Sequence, residues 1–232
     1  MSTSYSPKIV TDGLVLALDA ANRKSYAGSG ATWNDLSGNN SSGTLENSPT
    51  FDSGNGGSIV FDGSNDNVNC GNSSTLNLTT ALTINAWINP VGFGGSNIGR
   101  IVNKWTVSGG AGFALLLDNA GPIVNGVTYL VNGNQPTDQL QISNIISLNT
   151  WTNLTLTHTS TTAILYKNGS IVTSDAVPQP ISFLSENFNI GNRADFTRAF
   201  NGKIANVQIY NKALSSNEVL QNFNATRNRF GI

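Results

Sequence analysis

The stretch Phe61-Asp62-Gly63-Ser64-Asn65-Asp66-Asn67 and the later stretch Ala81-Leu82-Thr83-Ile84-Asn85-Ala86-Trp87-Ile88-Asn89-Pro90 decide the fold of this chain. In the first, an apolar run ends in Asp-Gly, where glycine permits an unusual backbone angle and the aspartate caps the turn. In the second, Ile84, Ala86 and Ile88 point to one face of an extended strand. Together they predict half-buried β-strands separated by a polar turn.

Short strand patterns of this kind recur along the whole chain, and turns rich in glycine and asparagine separate them. Such a density of short strands predicts an all-β sandwich of two antiparallel sheets. The predicted strands are Leu14–Asp19, Ser58–Phe61, Thr83–Asn89, Arg100–Lys104, Gly112–Leu117, Val127–Val131, Trp151–His158, Thr162–Lys167, Ser170–Thr173, Phe188–Gly191 and Lys203–Tyr210.

Two local motifs complete the expected secondary structure. Asn168-Gly169 separates two apolar strands, and both residues tolerate the positive φ of a type I′ hairpin turn. Ser215 and Glu218 have the spacing of a helix capping box, and the apolar residues within 219–223 then share one helix face. We therefore expect one short C-terminal helix packed on the sandwich.

The length of 232 residues is compatible with one β-sandwich domain. We expect a polar N-terminal arm over residues 1–11 and a single domain over residues 12–232. Residues 26–50 form an irregular stretch rich in glycine, asparagine and serine, which predicts either an ordered lid over the core or a contact arm.

Only 11% of the residues are charged, against about 25% in a typical domain, and the formal net charge is −1. This balance provides no electrostatic footprint for nucleic acid or for an anionic membrane surface. No stretch approaches the roughly 20 apolar residues of a membrane span, and the N-terminal residues lack a signal-peptide core. We expect neither nucleic-acid binding nor membrane insertion.

Four further segments, together with the opening stretches, carry a family resemblance. They are residues 13–21, 33–39, 151–154 and 201–215. In content and order they resemble the laminin-G-like, concanavalin A-like lectin jelly rolls of the type found in bacteriophage structural proteins and bacterial surface proteins. The resemblance implies a concanavalin A-like jelly roll.

Enzymes with this architecture give a specific test for catalysis. Retaining glucanases of this kind carry two carboxylates on one strand as Glu-x-Asp-x-Glu or a close variant, because alternate residues share a face. The three glutamates here, Glu46, Glu186 and Glu218, have no acidic residue two or four positions away. His158 is the only histidine, and we expect it to be a hydrogen-bonded sheet residue. The sequence therefore predicts a protein that is not an enzyme.

Calcium is the possible cofactor, because relatives in this family hold it with loop carboxylates at one rim of the sandwich. Asp62, Asp66 and Asp195 are the candidate ligands. The family often has an acidic residue at the position of Ala205, and that departure weakens the metal hypothesis.

Aromatic side chains beside glycine-rich loops are the candidate ligand-binding residues, since exposed rings stack on sugars. Trp105 and Phe93 occupy such positions. Trp87 and Trp151 lie within strand patterns, and we expect them in the core.

The resemblance favours a non-enzymatic virion protein of a tailed phage: a capsid decoration, fibre or tail-associated domain, made in the host cytoplasm. Its partners would be other virion proteins and host-surface polysaccharide, and it would act as a homo-oligomer. One alternative is a carbohydrate-binding module of a bacterial surface protein, located outside the cell or on its surface. Another is an unrecognised glycoside hydrolase.

Overall fold

Sixteen strands and one α-helix make up the fold in the computed structural model, which describes residues 7–106, 110–133, 138–177, 180–182 and 185–232. Short 3₁₀ turns occur at Gly54–Gly56, Ser74–Leu76, Gly95–Asn97 and Arg227–Phe230. The strands are β1 (Leu14–Asp19), β2 (Thr32–Trp33), β3 (Gly43–Glu46), β4 (Thr50–Asp52), β5 (Ser58–Asp62), β6 (Asn67–Asn69), β7 (Leu82–Gly92), β8 (Arg100–Trp105), β9 (Gly112–Asp118), β10 (Gly126–Val131), β11 (Gln139–Ile142), β12 (Thr152–His158), β13 (Thr162–Lys167), β14 (Ser170–Ala176), β15 (Asn189–Ile190) and β16 (Asn201–Tyr210), and the helix is α1 (Ser216–Thr226).

The strands form two antiparallel sheets. In the first sheet the order is β14-β13-β12-β7-β16-β5-β4, and β1 also pairs with β16. The second sheet has the order β11-β10-β9-β8-β15-β6-β3-β2. The predicted all-β, concanavalin A-like sandwich with one C-terminal helix is confirmed.

The main core lies between the sheets and follows the predicted alternation. Ile84, Ala86 and Ile88 of β7 are fully buried in it. Phe113 and Leu115 of β9 belong to the same cluster. The inner face of each sheet is therefore apolar, and the intervening residues point outward.

The turn after β5 has the predicted chemistry. Asp62 Oδ1 accepts a hydrogen bond from the Ser64 amide at 2.8 Å, and Gly63 has a φ of +79°. Asp66 Oδ2 accepts from the Asp62 amide at 2.9 Å. Both aspartates thus hold the turn that separates β5 from β6.

The outer face of the first sheet is covered by the C-terminal segment. The Trp87 ring of β7 stacks on Phe223 of α1, with centroids 5.8 Å apart, and on Phe230 at 4.0 Å. Ser215 and Glu218 form the predicted capping box at the start of α1. This face is closed to any ligand near Trp87.

Residues 26–50 are built into both sheets. β2 and β3 form one edge of the second sheet, β4 forms one edge of the first, and Trp33 is fully buried. Asp35 accepts from the Ala17 amide at 2.9 Å and from the Ser41 amide at 3.1 Å, which fixes the irregular part to β1. The stretch contributes strands in addition to ordered loops, and these strands are too short to show a period.

Part of the expected N-terminal arm packs on the sandwich. The Val10 amide donates to Asn222 Oδ1 at 2.8 Å, and the Tyr210 hydroxyl donates to the Val10 carbonyl at 3.0 Å. Residues 1–6 lie outside the described residues. The division at residue 11 stays a prediction.

His158 is a buried sheet residue, as predicted. Its Nδ1 lies 3.0 Å from the Tyr129 hydroxyl, and its Nε2 lies 3.3 Å from the Val177 carbonyl oxygen. Burial lowers the pKa of His158 from its usual value. The neutral ring is therefore the form that the folded protein favours.

The lowered pKa of His158 predicts a pH-dependent stability. As the pH falls below about 6.5, the unfolded chain binds a proton that the folded chain resists, so the free energy of unfolding decreases. The slope contributed by one proton is at most about 1.4 kcal/mol per pH unit. Urea denaturation between pH 7.5 and pH 5 measures it, and His158→Gln should flatten this part of the profile. An equal slope in the variant would contradict the assignment.

Gly169 should be sensitive to substitution, because it combines a φ of +77° in the β13–β14 turn with close contact to α1. A Cβ atom there would lie 3.0 Å from Phe223 Cδ1 and 3.1 Å from Leu220 Cδ1. We expect Gly169→Ala to lower the free energy of unfolding by about 1–3 kcal/mol.

Gly71→Ala is the matched control, since Gly71 has a φ of +68° and open space around its Cβ position. This variant should show the effect of backbone strain without the contact to α1, and so a smaller decrease in the free energy of unfolding. Equal losses in the two variants would show that the approach of the hairpin to α1 adds nothing to the effect.

Candidate functional site

The outer face of the second sheet is lined by polar side chains that the strand register places in rows. Residues directly opposite each other on antiparallel strands point to the same face. The first row crosses seven strands and consists of Thr44, Asn69, Asn189, Asn103, Ala114, Leu130 and Gln139. The second row consists of Arg100, Leu116, Thr128 and Gln141.

Two cavities open on this face. The asparagine cavity, of about 300 Å³, is lined by Glu46, Asn67, Asn69, Glu186, Asn189 and Phe196 among others. The arginine cavity, of about 360 Å³, is lined by Arg100, Trp105, Leu116, Asp118, Arg193 and Arg198 among others. Each is in the size range of small-molecule sites in proteins.

Glu46 organises the asparagine cavity. Its carboxylate accepts from Asn67 Nδ2 at 2.7 Å and from Asn69 Nδ2 at 3.0 Å. Asn67 Nδ2 also donates to Asn189 Oδ1 at 3.0 Å. The amide nitrogens are thereby fixed, whereas the buried oxygen Asn67 Oδ1 has no partner in the described residues.

Asn103 on β8 belongs to the first row and, like Asn67, has an amide oxygen without a hydrogen-bond partner in the described residues. It is 1% exposed, and its Oδ1 is buried without a hydrogen-bond partner among the described residues. Its Nδ2 makes only a long 3.4 Å contact with the Trp105 carbonyl oxygen. Asn103 Oδ1 is thus an acceptor just beneath the outer face of the second sheet.

Amide side chains on the outer face of the first sheet form a second hydrogen-bonded network. Beneath the C-terminal cover, Asn85 Nδ2 donates to Gln208 Oε1 at 2.9 Å, and Asn85 Oδ1 accepts from Asn153 Nδ2 at 2.9 Å. The other buried polar atoms without partners in the described chain lie apart from the two cavities, on Trp33, Ser58, Asn77 and Asn206. Asn206, which lies opposite Trp87 on this covered face, has two buried amide atoms without partners in the described chain, so such atoms occur on both outer faces.

Arg100 is the most deeply buried arginine that lines the arginine cavity. Its side chain is 4% exposed, and both Nε and Nη1 are buried with no hydrogen-bond partner in the described residues. Burial, followed by the charges of Arg193 and Arg198, lowers the pKa of Arg100. The cavity thus presents a desolvated guanidinium whose Nε and Nη1 make no hydrogen bond to any described residue.

The carboxylates near Arg100 are engaged elsewhere. Asp195 accepts from Arg193 Nε at 2.8 Å and from Arg193 Nη2 at 2.6 Å, and these bonds hold the pKa of Asp195 well below its usual range. Asp118 Oδ2 accepts from the Thr128 hydroxyl at 2.6 Å. Neither carboxylate makes a hydrogen bond to Arg100.

Of the two predicted ligand-binding aromatics, Trp105 lies at the cavity and Phe93 does not. Trp105 is 6% exposed, and it packs on Ala114, Leu116 and Leu130 where it lines the arginine cavity. Phe93 is 8% exposed and belongs to the main core, so its ring is not available for stacking on a sugar. Trp105 contributes an edge of the cavity wall.

Among the described residues, the exposed aromatic side chain on this face is Phe196, which the sequence patterns do not single out. It is 38% exposed, lines the asparagine cavity and has a φ of +58°. A left-handed backbone is unusual for a bulky residue and marks local strain. Its location depends on the fold of the loop before β16, which carries no periodic signal.

The predicted calcium ligands do not form one cluster. Asp62 and Asp66 hold the turn after β5, and burial raises the pKa of Asp66. Asp195 is paired with Arg193. In the part of the chain that the structure describes, no group of three or more acidic, histidine or cysteine side chains is placed to hold a metal ion.

Two glutamates that are far apart in sequence line the asparagine cavity. Glu46 and Glu186 both line it, and Glu46 is held by the asparagine amides. Glu218 caps α1, as predicted. The cavity therefore contains carboxylates that a search along single strands misses.

Solved structures with the same fold include binding domains of clostridial toxins. The binding domain of Paraclostridial Mosquitocidal Protein 1 has a TM-score of 0.68 and 19% identity, covering 92% of this chain and 52% of that one. The binding domain of botulinum neurotoxin DC, solved with rat synaptotagmin II, has a TM-score of 0.69 and 17% identity, covering 94% and 52%. A botulinum neurotoxin type C structure, described by its interaction with two ganglioside molecules, has a TM-score of 0.69 and 16% identity, covering 94% and 52%.

The chain thus spans about half the length of these binding domains, and the likeness concerns the fold. Within the described residues, no helix is long and apolar enough to cross a bilayer. A comparison with curated proteins finds no match. The family model described as the concanavalin A-like lectin/glucanases superfamily matches residues 62–220, which is more than half of the sequence, and the chain belongs to this family.

Proposed function

We propose that this chain is a glycan-binding module that binds sugar on the outer face of its second sheet. The observation that carries the proposal is a set of buried hydrogen-bonding atoms without partners among the described residues. Those of Asn67, Arg100 and Arg198 lie at the two cavities, and Asn103 Oδ1 lies in the row between them. A buried polar group without a partner costs about 1–3 kcal/mol, so a ligand that supplies the partners gains that energy.

The chemistry of the asparagine cavity suits a sugar. Hydroxyl groups both donate and accept, and Asn67 Oδ1 at this cavity and Asn103 Oδ1 in the adjoining row are acceptors without partners in the described residues. Phe196 at the rim presents an exposed ring, and apolar ring faces stack on the C–H faces of sugars. A few fixed polar groups beside an aromatic are the usual composition of a small-ligand site.

The similar structures support a binding role in general. Their names describe receptor binding and ganglioside interaction, which are properties of those proteins. At 16–17% identity these ligands do not transfer to the present chain. The proposal therefore depends on the residues of the second sheet.

The biological setting that we propose is the surface of a particle or a cell. The resemblance to phage structural proteins supports a tailed-phage virion, where the module would contact other virion proteins and host polysaccharide as one of several copies. Multiple copies would raise a weak sugar affinity through avidity. Mass spectrometry of purified particles tests this setting, and absence of the chain from them would exclude it.

Glycoside hydrolysis is the rival function, because Glu46 and Glu186 line the same cavity. Asn67 and Asn69 donate hydrogen bonds to the two oxygens of the Glu46 carboxylate, which suits a carboxylate that orients amides. We expect no release of reducing sugar from any oligosaccharide that binds. Turnover that is lost in both Glu46→Gln and Glu186→Gln would replace the binding proposal with a hydrolase.

Asn103→Leu separates binding from folding. We expect it to reduce the affinity for a glycan selected on an oligosaccharide array by about tenfold, because the oriented acceptor is removed. Its free energy of unfolding should stay within about 0.5 kcal/mol of the parent, because no good hydrogen bond is lost. Isothermal titration and urea denaturation measure the two quantities.

Asn85→Leu is the matched control. The same change there breaks the bonds to Gln208 and Asn153 beneath the C-terminal cover, and we expect it to destabilise the fold by about 1–3 kcal/mol. Sugar affinity of the folded fraction should not change. An array without any bound glycan, or an Asn103→Leu variant with full affinity, would contradict the proposed site.

A further inference from the structure

We infer that the arginine cavity receives the anionic group of an acidic glycan, a carboxylate or a sulfate, and that Arg100 is the residue that pairs with it. This inference rests on the proposed glycan site and specifies its ligand class. It depends on the burial of Arg100, on the arrangement of the neighbouring charges and on the position of the cavity beside the asparagine row.

The burial of Arg100 without a hydrogen-bonded carboxylate is the first observation. Arginine is seldom buried unless it is paired, because removing a cation from water costs several kcal/mol. Here Nε and Nη1 have no acceptor in the described part of the chain, and the side chain lines an open cavity. The cavity beside Arg100, of about 360 Å³, has room for the anionic group of a sugar.

The surrounding charges point the same way. Three of the six arginines in the sequence line this cavity, in a chain with only 11% charged residues. Arg193 is satisfied by Asp195, but Arg198 Nε is buried without a partner in the described residues. Arg198 Nη1 donates to Ser96 Oγ at 3.1 Å, which holds its guanidinium in place at the cavity.

The position of Arg100 links the anion to a sugar. Arg100 and Asn103 lie on β8, in the two rows of the outer face, and Asn189 is directly opposite Asn103. An acidic sugar with its anionic group on Arg100 would place neighbouring hydroxyls toward this asparagine pair. The guanidinium can bind a carboxylate or a sulfate in bidentate fashion.

The test is isothermal titration of the full chain with three oligosaccharides of equal length: an oligogalacturonate, a sulfated galactan fragment and a neutral galactan fragment. We expect one of the acidic ligands to bind about tenfold tighter than the neutral one, in line with a charged hydrogen bond. The identity of that ligand separates carboxylate from sulfate. Higher salt should weaken the acidic ligand more than the neutral one.

Arg100→Gln should remove the preference for the acidic ligand, and the exposed Arg23→Gln should keep it. We expect Arg100→Gln to melt at the same or a higher temperature without ligand, because the unpaired buried charge is gone. Arg198→Gln, a change at a less buried position, gives a second variant and should reduce the preference in part.

The outcomes are distinguishable. Equal affinity for acidic and neutral glycans would overturn the inference and leave the proposed sugar site intact. A preference that survives Arg100→Gln would also overturn it. Binding of inorganic sulfate at Arg100 with no binding of any glycan would contradict both the inference and the proposed function, because the cavity would then recognise a small anion alone.

Discussion

The apolar core shared by the two sheets is the constraint on which the rest of the structure depends. A strand that gives alternate residues to the core must direct the others outward, so each sheet has one outer face for another use. In the first sheet that face is covered near Trp87 by the aromatic residues of the C-terminal segment. In the second sheet the described residues leave it open, and its asparagine and arginine side chains border two cavities.

The fold was predictable where a local signal exists. The alternation around Ile84 predicts β7, the Asn168-Gly169 pair predicts the β13–β14 hairpin, and the box at Ser215 predicts the start of α1; the structure contains all three. The strands that were not predicted include β2, β3 and β6, with two to four residues each. A segment of that length is too short to show a period, and its pairing partner decides its conformation.

The site was harder to predict, because it depends on register between distant strands. Asn69, Asn189 and Asn103 are neighbours only once β15 is inserted between β6 and β8. The predicted aromatics illustrate the same limit: Trp105 lines a cavity, Phe93 lies in the core, and an exposed ring belongs instead to Phe196. The overall composition did not predict the arginine cavity either, because a net charge of −1 says nothing about where charges cluster. Three arginines line this cavity.

A crystal structure of the chain soaked with an oligosaccharide selected by binding is the most direct measurement of the central claim. The account predicts sugar density across the outer face of the second sheet, with hydroxyls within hydrogen-bond distance of Asn103 Oδ1 and Asn67 Oδ1. Sugar bound on the first sheet, at the edge strand β14 or at loops away from both cavities would contradict it.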